Sequence, residues 1–241
     1  MSTAEVLDQL DLATAGLLVD IGRLTDGDAR ASTRLPGWTR GHVLTHLARN
    51  AEGGTRLLGW ARTGVPSYEY ESAEARAAAI EAGAARPASI LIEDVRRTAE
   101  GFSEAARLLP DDAWQVEVVW TSGHRTAAAH IIKSRLTEVF IHHVDLDVGY
   151  GPSSWPMAFT GDILDIVVDG ATPSVDLVAT DSGRQWHVGS GPRSDTLVAT
   201  QAELLAWFAG RSDGSDVTHD ADKPLAHIHC WPGQPPPGGP S

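Results

Sequence analysis

The amino-acid sequence predicts an α+β protein, in which an N-terminal four-helix bundle is followed by a small C-terminal α/β domain. Residues 1–150 are rich in Ala, Leu, Glu and Arg, and their apolar positions recur with helical periodicity. The composition changes at GYGPSSWPM, after which a predicted helix, three short β-like runs and a second predicted helix follow. We therefore expect domains at residues 1–150 and 151–230, and a disordered Pro/Gly-rich tail at residues 231–241.

The first domain is expected to contain four long helices separated by irregular segments. Thr39 is a residue that can N-cap the second helix, and TGVPSYEYES after that helix reads as a loop followed by a short alanine-rich piece. The four helices are predicted to run from about Thr3 to Leu24, Thr39 to Arg62, Pro87 to Leu109 and Thr126 to Val148.

The second domain combines two predicted helices with three strand-like runs. The first helix is expected over Phe159–Asp169. The runs SVDLVAT, RQWHVGS and DTLVAT are typical of strands, and TQAELLAWFAGR predicts a helix that begins at Thr200 or Gln201 and ends near Gly210. This pattern indicates a small α+β module.

Composition narrows the class of protein. Among 241 residues the formal net charge is −13, which argues against binding to nucleic acids or to anionic membranes. No apolar run approaches the ~20 residues of a membrane span, and the N-terminus lacks the basic leader of a signal peptide. We therefore expect a cytoplasmic protein. The chain is also expected to be a monomer.

The chain has one cysteine, so it cannot form an internal disulfide. Cys230 lies beside the Pro/Gly-rich end, where the simplest interpretation is an incidental thiol. The alternative is a reactive thiol, or a metal site formed with His227 and His229.

The segment RLTEVFIHHVDL carries the first candidate for chemistry. Glu138 and His142 are separated by four residues, so on a helix they lie on one face, about one turn apart. Two ligands in that arrangement can reach a single metal ion, following the logic of helical metal-binding motifs. The alternative is a solvated polar stripe along the helix, in which Glu138 and His142 form only a weak side-chain pair between neighbouring turns.

The predicted second helix offers a partner for this pair. In GWTRGHVLTHLARNAEG, His42, His46 and Asn50 follow one another at intervals of four residues. Facing helices of a bundle are where carboxylate and histidine metal sites are built, so one of these histidines would complete a three-ligand site. The spacing alone does not choose between His42 and His46, and both also suit core or capping roles.

The stretches LPGWTRGHVLTHLARNAEG and RLTEVFIHHVDL, together with WFAGRSDG, resemble the mycothiol-dependent maleylpyruvate isomerase family over nearly the whole chain. The resemblance implies a DinB-like metal-binding bundle joined to a small C-terminal domain. It also implies zinc as the metal, with His46, Glu138 and His142 as its ligands. A family arginine needed for activity corresponds to Arg211, whose alternative role is to complement the dipole at a helix C-terminus.

In the reaction that the resemblance implies, maleylpyruvate becomes fumarylpyruvate, and the thiol cofactor mycothiol adds reversibly to the double bond. Small-molecule substrate and thiol are then the expected partners. Zinc would ionise the thiol, and Arg211 would bind a substrate carboxylate. Asp145 and Asn50 are interpreted either as groups that orient the ligand histidines or as groups that only bridge helices.

Two other functions fit the same motifs. One is a zinc-dependent S-transferase that conjugates mycothiol to an electrophile, in which case the product keeps the sulfur. The other is a metal-binding bundle without catalysis, because a shared fold does not by itself confer an enzyme's function.

Overall fold

The computed structural model describes residues 2–167, 174–189, 195–220 and 225. The chain divides into two compact units, the first comprising Met1–Gly149 and the second beginning at Tyr150. The predicted tail at 231–241, and the candidate thiol or metal site of Cys230, His227 and His229, lie outside the described residues.

The first unit is built from helices, and the fold class that the sequence predicts is confirmed. Long helices form in all four predicted places, and the alanine-rich piece, to which the sequence analysis assigned no structure, forms a further helix, α4. The helices are α1 (Thr3–Ile21), α2 (Asp26–Arg30), α3 (Arg40–Thr63), α4 (Ala73–Ala84), α5 (Ala88–Arg107) and α6 (Ala129–Asp145).

Helix α3 lies at the centre of this unit and packs against α4, α5 and α6. Thr39 caps its N-terminus as the sequence predicts, because its side chain accepts a hydrogen bond from the His42 backbone N–H. Gly64 ends it in the left-handed conformation, with φ of 73°. These two signals define a 24-residue helix that carries the candidate histidines into the bundle.

The bundle core follows from helical periodicity on the neighbouring helices. On α5, Leu91, Val95 and Phe102 are buried at intervals that place them on one face. On α6, Leu136 and Val139 are among the buried residues of the corresponding face. Along the described chain, no helix combines the length and apolarity that crossing a membrane requires.

A short antiparallel hairpin interrupts the helices between α5 and α6. Its strands are β1 (Glu117–Val119) and β2 (Arg125–Ala127), with Val118 paired to Thr126. Gly123 takes a φ of 83° in the turn, a conformation that favours glycine.

The second unit contains a three-stranded sheet and two helices within the described residues. Strand β3 is central: it pairs antiparallel with β4 and parallel with β5. Thr200 caps the last helix, and Gly210 follows its end with φ of 68°. The elements are α7 (Met157–Val167), β3 (Val175–Ala179), β4 (Gln185–Val188), β5 (Asp195–Ala199) and α8 (Gln201–Phe208).

Two glycines of α3 test how tightly α3 and α4 pack. A methyl group at Gly41 would lie 2.1 Å from the backbone oxygen of Ala84, the last residue of α4, whereas one at Gly59 would meet nothing within 4 Å. We expect Gly41→Ala to reduce the free energy of unfolding by about 1–3 kcal/mol through overpacking. We expect Gly59→Ala to increase it by about 0.5–1 kcal/mol, because alanine has the higher helix propensity.

Urea unfolding followed by circular dichroism measures both changes. Both variants carry the same glycine-to-alanine substitution on the same helix, so each is the control for the other. Equal effects of the two substitutions would contradict close packing of α3 on α4.

Candidate metal centre

Helices α3 and α6 bring His46, Glu138 and His142 into one cluster. The Nε2 atom of His46 lies 2.7 Å from Oε2 of Glu138, and Nε2 of His142 lies 3.1 Å from the same oxygen. One potential ligand atom from each residue lies within 4.8 Å of the other two. The structure thus places together the three residues that the family resemblance selects, and their role as metal ligands stays a prediction.

The cluster is accessible from one side. The His46 side chain is only 2% exposed, while those of His142 and Glu138 are 14% and 28% exposed. The α3 side of the cluster is therefore closed by protein, and the solvent contact of the cluster lies on the α6 side.

Burial and mutual contact shape the charges of this cluster. Burial lowers the pKa of His46 to about 4, so this imidazole is neutral at physiological pH. Burial opposes ionisation of Glu138, but His46 and His142 outweigh it and hold the pKa of that carboxyl well below its usual range. Burial likewise disfavours the charged form of His142, yet Asp145 and Glu138 raise its pKa.

Asp145 orients one of the candidate ligands. Its Oδ2 atom lies 2.8 Å from Nδ1 of His142, and its own side chain is buried. A carboxylate at that nitrogen favours the tautomer with the proton on Nδ1, which leaves the Nε2 lone pair directed at the cluster. Asn50 has a different contact, because its Oδ1 accepts a hydrogen bond of 2.8 Å from the buried Arg135.

The far side of His46 faces an arginine and an aromatic ring. Nη2 of Arg76, on α4, lies 3.1 Å from Nδ1 of His46. The Trp38 ring meets the His46 ring edge to face, with 5.7 Å between the centroids. Both contacts restrict the orientation of this imidazole.

The structure separates the remaining histidines of these helices from the cluster, and His130, in the first turn of α6, has its Nδ1 3.3 Å from the backbone oxygen of Ala127. His42 belongs to the cap of α3, and its Nε2 lies 3.2 Å from Glu81. His143 directs its Nε2 to Asp20 on α1, at 2.9 Å. Packing thus places His46, and not His42, against Glu138 and His142, and which of the two binds a metal stays a prediction.

Arg211 belongs to the second unit and follows α8 by three residues. Its side chain is buried, and one guanidinium nitrogen donates to the backbone oxygen of Ala209. The part in catalysis that the resemblance implies for Arg211 stays a prediction.

Glu69 and Tyr70, in the loop between α3 and α4, are neighbours of the cluster that the sequence analysis did not identify. Glu69 lines a small cavity with Trp120 and Arg135. Burial, reinforced by the charge of Glu138, raises its pKa to about 7. The loop sequence contains no motif for this environment, which arises only when the loop folds over α3.

The donor set fits a divalent metal ion. Two imidazole nitrogens and a carboxylate oxygen are ligands that zinc accepts, and Asp145 supplies the carboxylate that commonly supports a ligand histidine. Three protein ligands leave a position for another molecule.

Comparison with known proteins identifies the family and the fold of the chain. Residues 10–147 match the model of the family described as Mycothiol maleylpyruvate isomerase N-terminal domain. The fold is similar to the crystal structure of the mycothiol-dependent maleylpyruvate isomerase, with a TM-score of 0.89 and 24% identity over 96% of this chain and 98% of that chain. A variant of that enzyme with one histidine replaced by alanine gives the same values. No curated protein matches the chain.

Removal of a ligand tests the metal assignment. We expect His46→Ala, Glu138→Ala and His142→Ala each to weaken zinc binding by more than the ~10–100-fold loss typical of a supporting partner. His42→Ala is the matched control on the same helix, and it should keep the zinc content of the unmodified protein. Atomic emission spectroscopy after dialysis measures zinc per chain, and unchanged zinc in Glu138→Ala would refute the assignment.

The raised pKa of Glu69 predicts a pH-dependent stability in the metal-free protein. Between the ordinary glutamate value and about 7, the folded chain binds more protons at this site than the unfolded chain. The contribution of Glu69 to stability is therefore present at low pH and is lost as pH rises through its folded pKa. Glu69→Gln removes this loss, so we expect it to stabilise the protein relative to wild type by about 1 kcal/mol more at high than at low pH.

Urea unfolding at about pH 5 and about pH 8, with chelator present, measures this difference. The exposed neighbour Glu71 provides the control, because Glu71→Gln removes a carboxylate from the same loop and the Glu69→Gln effect is compared with it at each pH. A Glu69→Gln effect that is independent of pH would contradict the prediction.

Proposed function

The chain belongs to the mycothiol maleylpyruvate isomerase N-terminal domain family, and we propose that it is a zinc- and mycothiol-dependent cis–trans isomerase. Its substrate is maleylpyruvate or a similar conjugated keto acid. The observation that carries this proposal is the cluster of His46, Glu138 and His142 within the matched region.

The residues of the cluster suit the metal that this reaction uses. Zinc held by His46, Glu138 and His142 would act as a Lewis acid and lower the pKa of a thiol from its ordinary value near 8.5. The side chains of Glu138 and His142 are partly exposed, and we propose that thiol and substrate approach the cluster from that side.

Residues around the cluster hold the candidate ligands in position. Asp145 holds the His142 ring through Nδ1, and Trp38 packs against the His46 ring. Rigid ligands cost little reorganisation during the reaction, which is how a preorganised site lowers a barrier.

The isomerisation needs a temporary single bond, because a C=C bond does not rotate readily. A thiolate forms a C–S bond to the electron-poor alkene, and the π electron pair moves to the conjugated carbonyl oxygen. After rotation, that pair re-forms the double bond and the C–S bond breaks, which releases the trans product and the unchanged thiolate. Arg211 is proposed to bind a substrate carboxylate during this sequence.

An isomerisation assay tests the proposal. Purified protein loaded with zinc is mixed with mycothiol and maleylpyruvate, and fumarylpyruvate formation is followed. We expect turnover that needs the thiol, that a chelator abolishes and that Glu138→Ala lacks.

In the same assay, Arg211→Lys is expected to reduce kcat/KM by about 10–100-fold with zinc content unchanged, because lysine cannot bind a carboxylate bidentately.

Two results would contradict the isomerase. A product that retains the sulfur would identify an S-transferase instead. A folded, zinc-loaded protein without turnover of either kind would refute catalysis on this class of substrate.

A further inference from the structure

Arg76 places a guanidinium beside the candidate metal centre. It projects from α4, is half-buried, and lies 3.1 Å from Nδ1 of His46. Among the residues that the structure describes, no carboxylate is within ion-pairing distance of Arg76. A half-buried cation next to a reactive cluster therefore has donors that protein carboxylates do not use.

Tyr70 adds a second donor at the same place. The Arg76 guanidinium carbon lies 5.7 Å from the centre of the Tyr70 ring. The hydroxyl oxygen of Tyr70 is buried and no described residue accepts its proton, while the Arg76 guanidinium acts on it as a hydrogen-bond donor. Burial raises the pKa of this phenol to about 12, so it keeps its proton and remains able to donate.

The contact between Arg76 and His46 belongs to one tautomer of the histidine. A guanidinium only donates hydrogen bonds, so Nδ1 of His46 must accept, and Nε2 then carries the proton that points at Glu138. When His46 binds a metal through Nε2, its proton must lie on Nδ1 instead. Arg76 then loses this acceptor, and its N–H groups become available to another one.

We propose that Arg76 and Tyr70 form a carboxylate-binding site beside the metal centre, which holds one anionic end of the substrate. This inference rests on the proposed function and specifies how the site recognises an acidic substrate. A guanidinium matches a planar carboxylate through paired N–H donors, and the phenol O–H adds a third donor. The site lies wholly within the first unit and is distinct from Arg211.

The charges around the site leave one guanidinium to attract one carboxylate group of the substrate. The negative charges of Glu138 and Glu69 raise the pKa of Tyr70. The positive charges of Arg76 and Arg56 lower the pKa of Glu69. A metal ion offsets the charge of Glu138, which leaves the guanidinium free to attract one negative group.

Binding of maleate, a cis dicarboxylate, in the absence of any thiol tests this inference without turnover. Isothermal titration calorimetry on zinc-loaded protein gives the Kd. We expect Arg76→Gln to raise it about tenfold or more and Tyr70→Phe about threefold or more, because each removes a donor to a charged acceptor. Arg62→Gln is the matched control, since Arg62 is an exposed arginine in the last turn of α3, and it should leave Kd unchanged.

Zinc content is measured for every variant alongside Kd. Unchanged maleate affinity in Arg76→Gln, or no maleate binding by the unmodified protein, would overturn the inference. Loss of zinc from folded Arg76→Gln would also overturn it, because Arg76 would then support the metal ligand and not the substrate.

The same data separate this inference from the isomerase proposal. Arg76-dependent maleate binding by a protein that isomerises nothing would leave the carboxylate site standing and remove the isomerase. Isomerase activity in which Arg76→Gln changes neither the KM nor the maleate Kd would remove the carboxylate site and leave the isomerase proposal standing.

Discussion

The candidate site depends on one carboxylate held between two imidazoles. Glu138 lies against His142 on its own helix and against His46 on α3, so it ties the register of α6 to that of α3. A half-buried carboxylate is destabilising without such partners, and the two histidines offset that cost. Any sliding of one helix along the other would break the site and leave Glu138 without compensation.

Helix α4 connects this interaction to the rest of the bundle. Gly41 permits close approach of the Ala84 backbone, and Gly83 of α4 faces Thr45, the residue before His46. Because these contacts have no space for another methyl group, α4 has little freedom to shift against α3. Arg76, which α4 carries, is thereby held next to His46.

The scaffold and the chemistry are supported by different observations. The likeness to solved structures at 24% identity describes a fold, and folds host many functions. The chemistry depends on side chains: a histidine and carboxylate cluster with one accessible side, a supporting Asp145, and cationic groups that suit an anionic substrate. Together with family membership, these features favour thiol-dependent isomerisation over a bundle that only stores a metal.

Sequence alone determined the four long helices of the bundle and the chemical types of the site, but not the short helices α2 and α4. Thr39 and Gly64 mark the ends of α3 through local hydrogen bonding and backbone freedom, and the spacing of Glu138 and His142 follows from helix geometry. Tertiary structure decided which histidine of α3 meets Glu138 and His142. His42 and His46 are four residues apart on one helix, so helix periodicity does not distinguish them, and they differ only in what packs against each. Tertiary structure also decided the roles of Glu69, Tyr70 and Arg76, since contacts between distant segments depend on how α4 and its loop pack on α3, which local sequence does not encode.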